Sequence, residues 1–351
     1  MRGKYYISIF ILILLIGCID PIAVDIQQEK KILVVEGYIS TGPGPHRINL
    51  SKSAKFGDIF TGVIRPEEGA DVWVRDNEGK VTLLSESNPG VYETPVGWKA
   101  ILGNSYTLNV VTNVGVRYTS LAEKVIPVAP IDSLILNFKK FPSTDPNDFV
   151  SGVEVFARFK DPPETRDFYT WRNNGTFIIE THPELFTIRN VFQGTPVPAP
   201  KECCSICWVN ELNADLSIKI LDDDNTNGME NTQLAAFIPD NGVRLSDKYM
   251  AVIQQLSITK EAHAFFNLLN KQLSINGDIF DPPPATIRGN MINLDNPEEN
   301  VIGYFYASDA SIDTVFIDHD ILEESQPIQQ INDDCRVLPN STTEKPSFWQ
   351  F

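Results

Sequence analysis

Cysteine and aspartate are the residues of this 351-residue sequence whose spacing could do chemistry. Cys18 directly follows Leu15-Ile16-Gly17 at the end of a short apolar run, the setting in which a leader peptide presents a thiol to accept a diacylglycerol. The run from Tyr5 to Ile16 spans about a dozen residues, short of the roughly 20 that a helix needs to cross a bilayer core. It is therefore read as a leader over residues 1–17 that is cleaved, leaving Cys18 at the head of a lipidated tether over 18–30. The expected location is the outer membrane, on its periplasmic or outer face, with acyl chains as the attachment.

Four further cysteines are Cys203, Cys204, Cys207 and Cys335, and in the oxidising compartment that such a leader implies an even count points to disulfides. Adjacent cysteines close a strained ring, which disfavours Cys203 with Cys204. The expected bond joins Cys335 to one of Cys203, Cys204 and Cys207. Cys207 is favoured because Trp208 beside it would pin its sulfur in the core, and the polar tail over 336–351 needs a tether to stay ordered. Two alternatives exist. A redox Cys204-x-x-Cys207 lacks a thioredoxin-like βαβ setting, and a four-thiolate zinc site needs thiols kept reduced outside the cytosol.

The run Asp222-Asp-Asp-Asn-Thr-Asn-Gly228 holds Asp223, Asn225, Asn227 and Gly228 at the spacing of the first half of a calcium loop. The second half departs from that pattern, since the twelfth position is Leu234 rather than a glutamate and no helix flanks the loop. A solvated acidic hairpin end is the favoured reading, and a weak Ca2+ site the alternative. No other cofactor is expected.

Catalytic patterns are scarce. His46, His182, His263 and His319 are scattered without H-E-x-x-H, and there is no G-x-S-x-G elbow, phosphate loop or G-x-G-x-x-G opening a helix. The pairs Glu67-Glu68, Glu298-Glu299 and Glu323-Glu324 are adjacent, so in a strand they point to opposite faces and read as solvated charges rather than an acid/base couple. The chain is read as a non-enzyme, with a carbohydrate-active enzyme built from distant carboxylates as one alternative. Trp98, Phe168, Tyr169, Trp171, Trp208, Phe348 and Trp349 are the aromatic residues that could face a ligand, although most belong in a core.

The elements that position these residues are β-strands. Removing the leader, which carries Arg2 and Lys4 and no acid, takes the formal net charge from −17 to −19, a surface that repels nucleic acid. With 24 prolines and 21 glycines between short alternating apolar segments, the expected class is all-β. An Ig-like or transthyretin-like β-sandwich is expected over 31–128. A larger, mainly antiparallel β domain follows over 129–351, with Pro127-Val-Ala-Pro130 as the boundary. One helix is expected near 259–273, capped by Thr259, with Ala262, Phe265, Phe266, Leu269 and Leu273 on its packed face and Asn276-Gly277 as its end. Within the second domain, strands are expected separately over 167–172 and 176–180.

Two resemblances follow from these motifs. Val35-Glu-Gly37-Tyr-Ile39, Gly69-Ala-Asp-Val72-Trp-Val74-Arg-Asp76, Gly90-Val-Tyr92 and Gly103-Asn-Ser-Tyr106-Thr-Leu108 together resemble transthyretin-like and carboxypeptidase regulatory-like modules over about residues 31–126. With the Phe280-Asp-Pro-Pro-Pro284 turn, Arg288-Gly-Asn290, Gly303-Tyr-Phe305 and Pro346-Ser-Phe348-Trp349, the whole chain resembles the Bacteroidetes lipoproteins grouped as a domain of unknown function, DUF4249. That resemblance implies an accessory or ligand-capture role beside a TonB-dependent outer-membrane receptor, with no catalytic residues to carry over. A structural or adhesive envelope protein is the runner-up, and no ligand is named.

Overall fold

Turn chemistry and period-two alternation set the local structure. In the computed structural model, residues 32–53, 65–143, 149–189, 194–212, 218–274 and 287–349 are described. Cys18, the tether and the Phe280–Pro284 turn lie outside them. The first strands are β1 (Leu33–Ser40), β2 (Arg47–Lys52), β3 (Arg65–Pro66), β4 (Asp71–Asp76), β5 (Val81–Asn88), β6 (Val91–Glu93), β7 (Ser105–Val111), β8 (Arg117–Ser120) and β9 (Glu123–Lys124). The following group is β10 (Ile131–Pro142), β11 (Phe149–Lys160), β12 (Phe168–Glu180), β13 (Thr187–Arg189), β14 (Pro196–Pro198), β15 (Ile206–Leu212), β16 (Lys219–Asp222), β17 (Glu230–Pro239) and β18 (Lys248–Ser257). After helix α1 (Lys260–Leu273) come β19 (Met291–Asn293), β20 (Ile302–Ser308), β21 (Ala310–Asp318) and β22 (Ser341–Thr342). The class is all-β, as the alternation requires. Among the described residues no helix is long and apolar enough to cross a membrane.

One sheet runs β19-β8-β7-β4-β5-β6-β2-β1-β20, with β3 and β9 joined to β2 and β7. Its alternating residues, among them Val35, Ile48, Val72, Val74, Tyr92, Leu108 and Val110, share one buried core, so the two halves of the sheet face each other. Two of its strands come from late in the chain. β20 lies parallel to β1 and β19 antiparallel to β8, so the sandwich expected over 31–128 recruits residues 291–293 and 302–308. Phe305 and Ala307 of β20 complete its core.

A three-stranded sheet, β10-β11-β17, packs on a six-stranded sheet, β21-β18-β12-β15-β22 with β16 also on β12. Val153, Val155 and Phe159 from one meet Tyr169, Trp171, Phe177, Tyr249 and Ile253 from the other. β12 is one continuous strand through Asn173-Asn174-Gly175, where two were expected, because β15 and β18 bond Asn174 and Gly175 on both sides. Strand alternation puts Tyr169 and Trp171 on one face of β12 and Phe168 on the other. Both faces are covered, since Tyr169 and Trp171 lie in the sandwich core while Phe168 packs with Ala262, Phe265 and Phe266 of α1.

Helix α1 starts where the capping residue predicts. Thr259 Oγ1 accepts from the Ala262 N–H at 3.2 Å, and Ala262, Phe265 and Phe266 pack against Tyr304 and Tyr306 of β20. Leu273, expected on that face, is exposed, and the buried residues of the helix are Ala262, Phe265 and Phe266.

The Arg288-Gly-Asn290 and Gly303-Tyr-Phe305 motifs meet in a backbone clasp. A Cβ on Gly289 would lie 1.6 Å from the Gly303 carbonyl oxygen, and one on Gly303, whose φ is +96°, would lie 1.8 Å from the Val35 oxygen. Asn290 then replaces a missing strand partner, accepting from the Phe305 N–H at 3.0 Å and donating to its carbonyl at 2.7 Å. Glu123 sits beside it, buried, accepting from Tyr304 Oη at 2.6 Å, Thr259 Oγ1 at 2.9 Å and Asn290 Nδ2 at 3.3 Å.

Burial outweighs these donors and raises the Glu123 pKa. A carboxyl whose folded pKa lies above its unfolded value favours folding when protonated, and that contribution is lost as pH climbs through the folded pKa. Glu123→Gln is therefore expected to flatten the fall in melting temperature above about pH 4.5. Thermal melts of both proteins from pH 4.5 to 8 read this directly, and parallel curves would refute it.

Candidate functional site

The two sheets of the second sandwich hand over to each other at one end, and acidic residues gather there. Asp161 directly follows β11, Asp167 directly precedes β12, and Asp223 directly follows β16 before β17 begins. Because β12 pairs with β16 at Phe168↔Asp222 and β11 with β17 at Lys160↔Glu230, the β11–β12 and β16–β17 connections meet. One carboxylate oxygen each from Asp161, Asp167 and Asp223 then falls within 4.8 Å of the other two.

Each carboxylate is held. Asp161 accepts from Tyr169 Oη at 2.6 Å and from the Gly228 N–H at 3.1 Å. Asp167 Oδ2 accepts from Thr165 Oγ1 at 2.6 Å, and Asp223 Oδ2 from the Asp167 N–H at 2.8 Å. Asp223 is fully buried (0 % exposed) and its Oδ1 has no donor; the Thr226 hydroxyl oxygen is likewise buried without a partner. Burial pushes the pKa values of Asp167 and Asp223 up, and the neighbouring Asp161 charge adds to it. The charge of Arg166 works against that rise at Asp223, while its guanidinium is ion-paired outside the cluster with Asp222 and Asp224.

Of the calcium-loop residues read from spacing, only Asp223 enters this cluster. Asn225 and Asn227 are exposed, and Asn227 Nδ2 donates to the Thr165 carbonyl at 2.9 Å, tying the two connections together. Asp161 and Asp167 escaped the sequence reading because they lie some sixty residues from Asp223 in the chain. The signal present was local: Asp161-Pro-Pro163 and Asp167 bracket a loop between two strongly alternating strands.

The cysteines form two disulfides. Cys207 of β15 and Cys335 are bonded, with Cα atoms 5.7 Å apart and both residues fully buried in the second core, matching the favoured pairing. Cys203 and Cys204 are bonded to each other, the pairing that ring strain disfavoured. With Cys207 claimed by Cys335, each has only the other left among the cysteines of the described residues. The Cys335 N–H also donates to the Cys204 carbonyl at 2.9 Å, so the C-terminal segment is fastened to this loop twice. All four sulfurs are thus taken, which leaves the zinc and dithiol alternatives without thiols.

The other candidates are structural. Trp208 and Trp349 pack with Met250 on the outer face of the six-stranded sheet, and Phe316 joins Trp349 edge to face at 5.6 Å. Phe168, Tyr169 and Trp171 are buried and Trp98 is partly so; Phe348 is exposed. Glu67, expected in solvent, is buried and ion-paired with Lys52. His46 is buried and its pKa is lowered to about 4 by desolvation, as in a neutral core histidine. His263 packs on Phe168 at 5.0 Å, and His182 and His319 lie by Glu184 and the Leu245 carbonyl.

None of the curated proteins matches this chain. Residues 19–312 match the profile of the family described as a domain of unknown function, DUF4249, a span that takes in the first sandwich, most of the second, the helix, the acidic cluster and the clasp, and the chain belongs to that family.

Proposed function

We propose that this chain is an exported lipoprotein, held in the outer membrane by acyl chains on Cys18, that acts without catalysis as an accessory or ligand-capture subunit beside a TonB-dependent transporter. The observation that carries the compartment is the buried Cys207–Cys335 disulfide, since such a bond persists where thiols are not kept reduced. Cys18 behind Leu15-Ile16-Gly17 supports the anchor, and the transporter rests on the resemblance to Bacteroidetes lipoproteins noted above. The β-sandwich at the start of the folded part suits a transthyretin-like module that presents the larger domain.

Cys18→Ser is expected to abolish acylation and move the protein from the membrane pellet to the soluble fraction, read by fractionation and metabolic labelling with palmitate. A variant still firmly bound to membranes would overturn the anchor. Affinity capture of the tagged protein from detergent-solubilised envelopes is expected to recover a β-barrel receptor identified by mass spectrometry. Repeated recovery of the chain alone would instead favour a structural or adhesive role.

A further inference from the structure

We infer that Asp161, Asp167 and Asp223 form a calcium site that clamps the β11–β12 connection to the β16–β17 connection. This goes beyond the accessory role proposed above and does not depend on it. Three carboxylates brought together by two separate connections place a formal charge of −3 in a largely buried corner, and Arg166, whose charge acts on Asp223, is itself ion-paired with Asp222 and Asp224. Like charges at such separations repel strongly unless neutralised. A bound cation neutralises them.

A second observation stands apart from the clustering. Asp223 is fully buried, yet its Oδ1 receives no hydrogen bond, and an ionised oxygen left bare in the interior is costly. A metal ion supplies what that oxygen lacks. The donors around the cluster, Tyr169 Oη, Thr165 Oγ1 and the Gly228 and Asp167 N–H groups, hold other lone pairs of the three carboxylates and orient them.

The donor set selects the ion. Carboxylate oxygens exclude the soft metals, which prefer sulfur and imidazole. Magnesium keeps most of its water and is commonly held by one or two carboxylates with a substrate phosphate, whereas calcium accepts several protein oxygens in irregular geometry. Water completes the shell on the side of Asp167, which is half-exposed. Because each of the two connections crosses between the three-stranded and the six-stranded sheet, an ion that joins them should stabilise the packing of the two sheets.

The test uses the full chain purified in detergent, freed of metal with EGTA, and calcium chloride as the probe. Equilibrium dialysis with elemental analysis is expected to find one calcium per chain, at a dissociation constant of about 10⁻⁴–10⁻³ M. Tenfold excess over that constant should raise the melting temperature by about 3–5 °C, with a smaller rise in equal magnesium. Asp223→Asn, which keeps the oxygen that accepts from Asp167, should abolish the calcium-dependent shift while melting no lower than the parent in EGTA. Should that variant fail to fold, Asp167→Asn at the half-exposed position gives the same reading. Asp71→Asn, an exposed change on β4, should leave the shift intact. Absence of calcium uptake at 10 mM, or an equal shift in both cluster variants or in magnesium, would mean only general screening of an acidic surface and would overturn the site.

Discussion

Replacing Cys207 and Cys335 together by alanine is expected to lower the unfolding free energy by about 5 kcal/mol. The two residues are separated by 128 positions, and in the chain-entropy description a cross-link closing a loop of that length removes roughly this much freedom from the unfolded ensemble. Folded domains are stable by only about 5–15 kcal/mol, so the loss is a large share of the total. The damage should have a direction. β22 pairs with β15 at Trp208↔Thr342, one residue from Cys207, and Trp349 covers Met250 on the same sheet, so the segment after residue 335 should come loose first. Guanidinium melts give the energy and limited proteolysis gives the order of events. An unchanged midpoint together with a protected C-terminal segment would show that Trp349 and β22 hold the tail without the covalent bond.

Gly303→Ala is expected to cost about 2–6 kcal/mol, the sum of forced repacking and a left-handed backbone imposed on an L side chain. Its φ is +96°, and the new Cβ would lie 1.8 Å from the Val35 carbonyl oxygen and 2.8 Å from its carbon, atoms of the facing strand that cannot turn aside. The strands would have to part, and this parallel pair, Val35↔Gly303 among its register, brings the late segment of the chain into the first sheet. The Asn290 clasp on Phe305 and the Glu123 bond to Tyr304 depend on the same approach. Circular dichroism and tryptophan fluorescence melts measure the loss. A variant within 1 kcal/mol of the parent would fail the clasp as described.

Much of the fold was legible in the residues. The alternation in Ser105–Val111 buries Tyr106, Leu108 and Val110 as its pattern requires. Asp76-Asn-Glu-Gly79 forms the turn it announces: Asp76 Oδ1 accepts from the Glu78 and Lys80 N–H groups, and β4 pairs with β5 across it. The helix began within one residue of its expected start because a cap and an apolar stripe are both local signals. The Cys207–Cys335 pairing was favoured on the strength of Trp208 and is the bond formed. The acidic site was legible only in part, as Asp223 without Asp161 and Asp167, since spacing along one loop says nothing of a second loop that meets it.

By itself, then, the sequence determined what is written within about ten residues: strand periodicity, turn type, the helix cap, and an all-β class. Only the tertiary structure decided which segments are neighbours. β20 could join β1 because Gly289 and Gly303 let three backbones approach, and Asp161, Asp167 and Asp223 became one cluster because two connections that cross between the same two sheets meet there. The physical reason is that alternation fixes which face of a strand is buried, whereas the choice of partner strand is made by complementary packing between surfaces that exist only once both strands have formed.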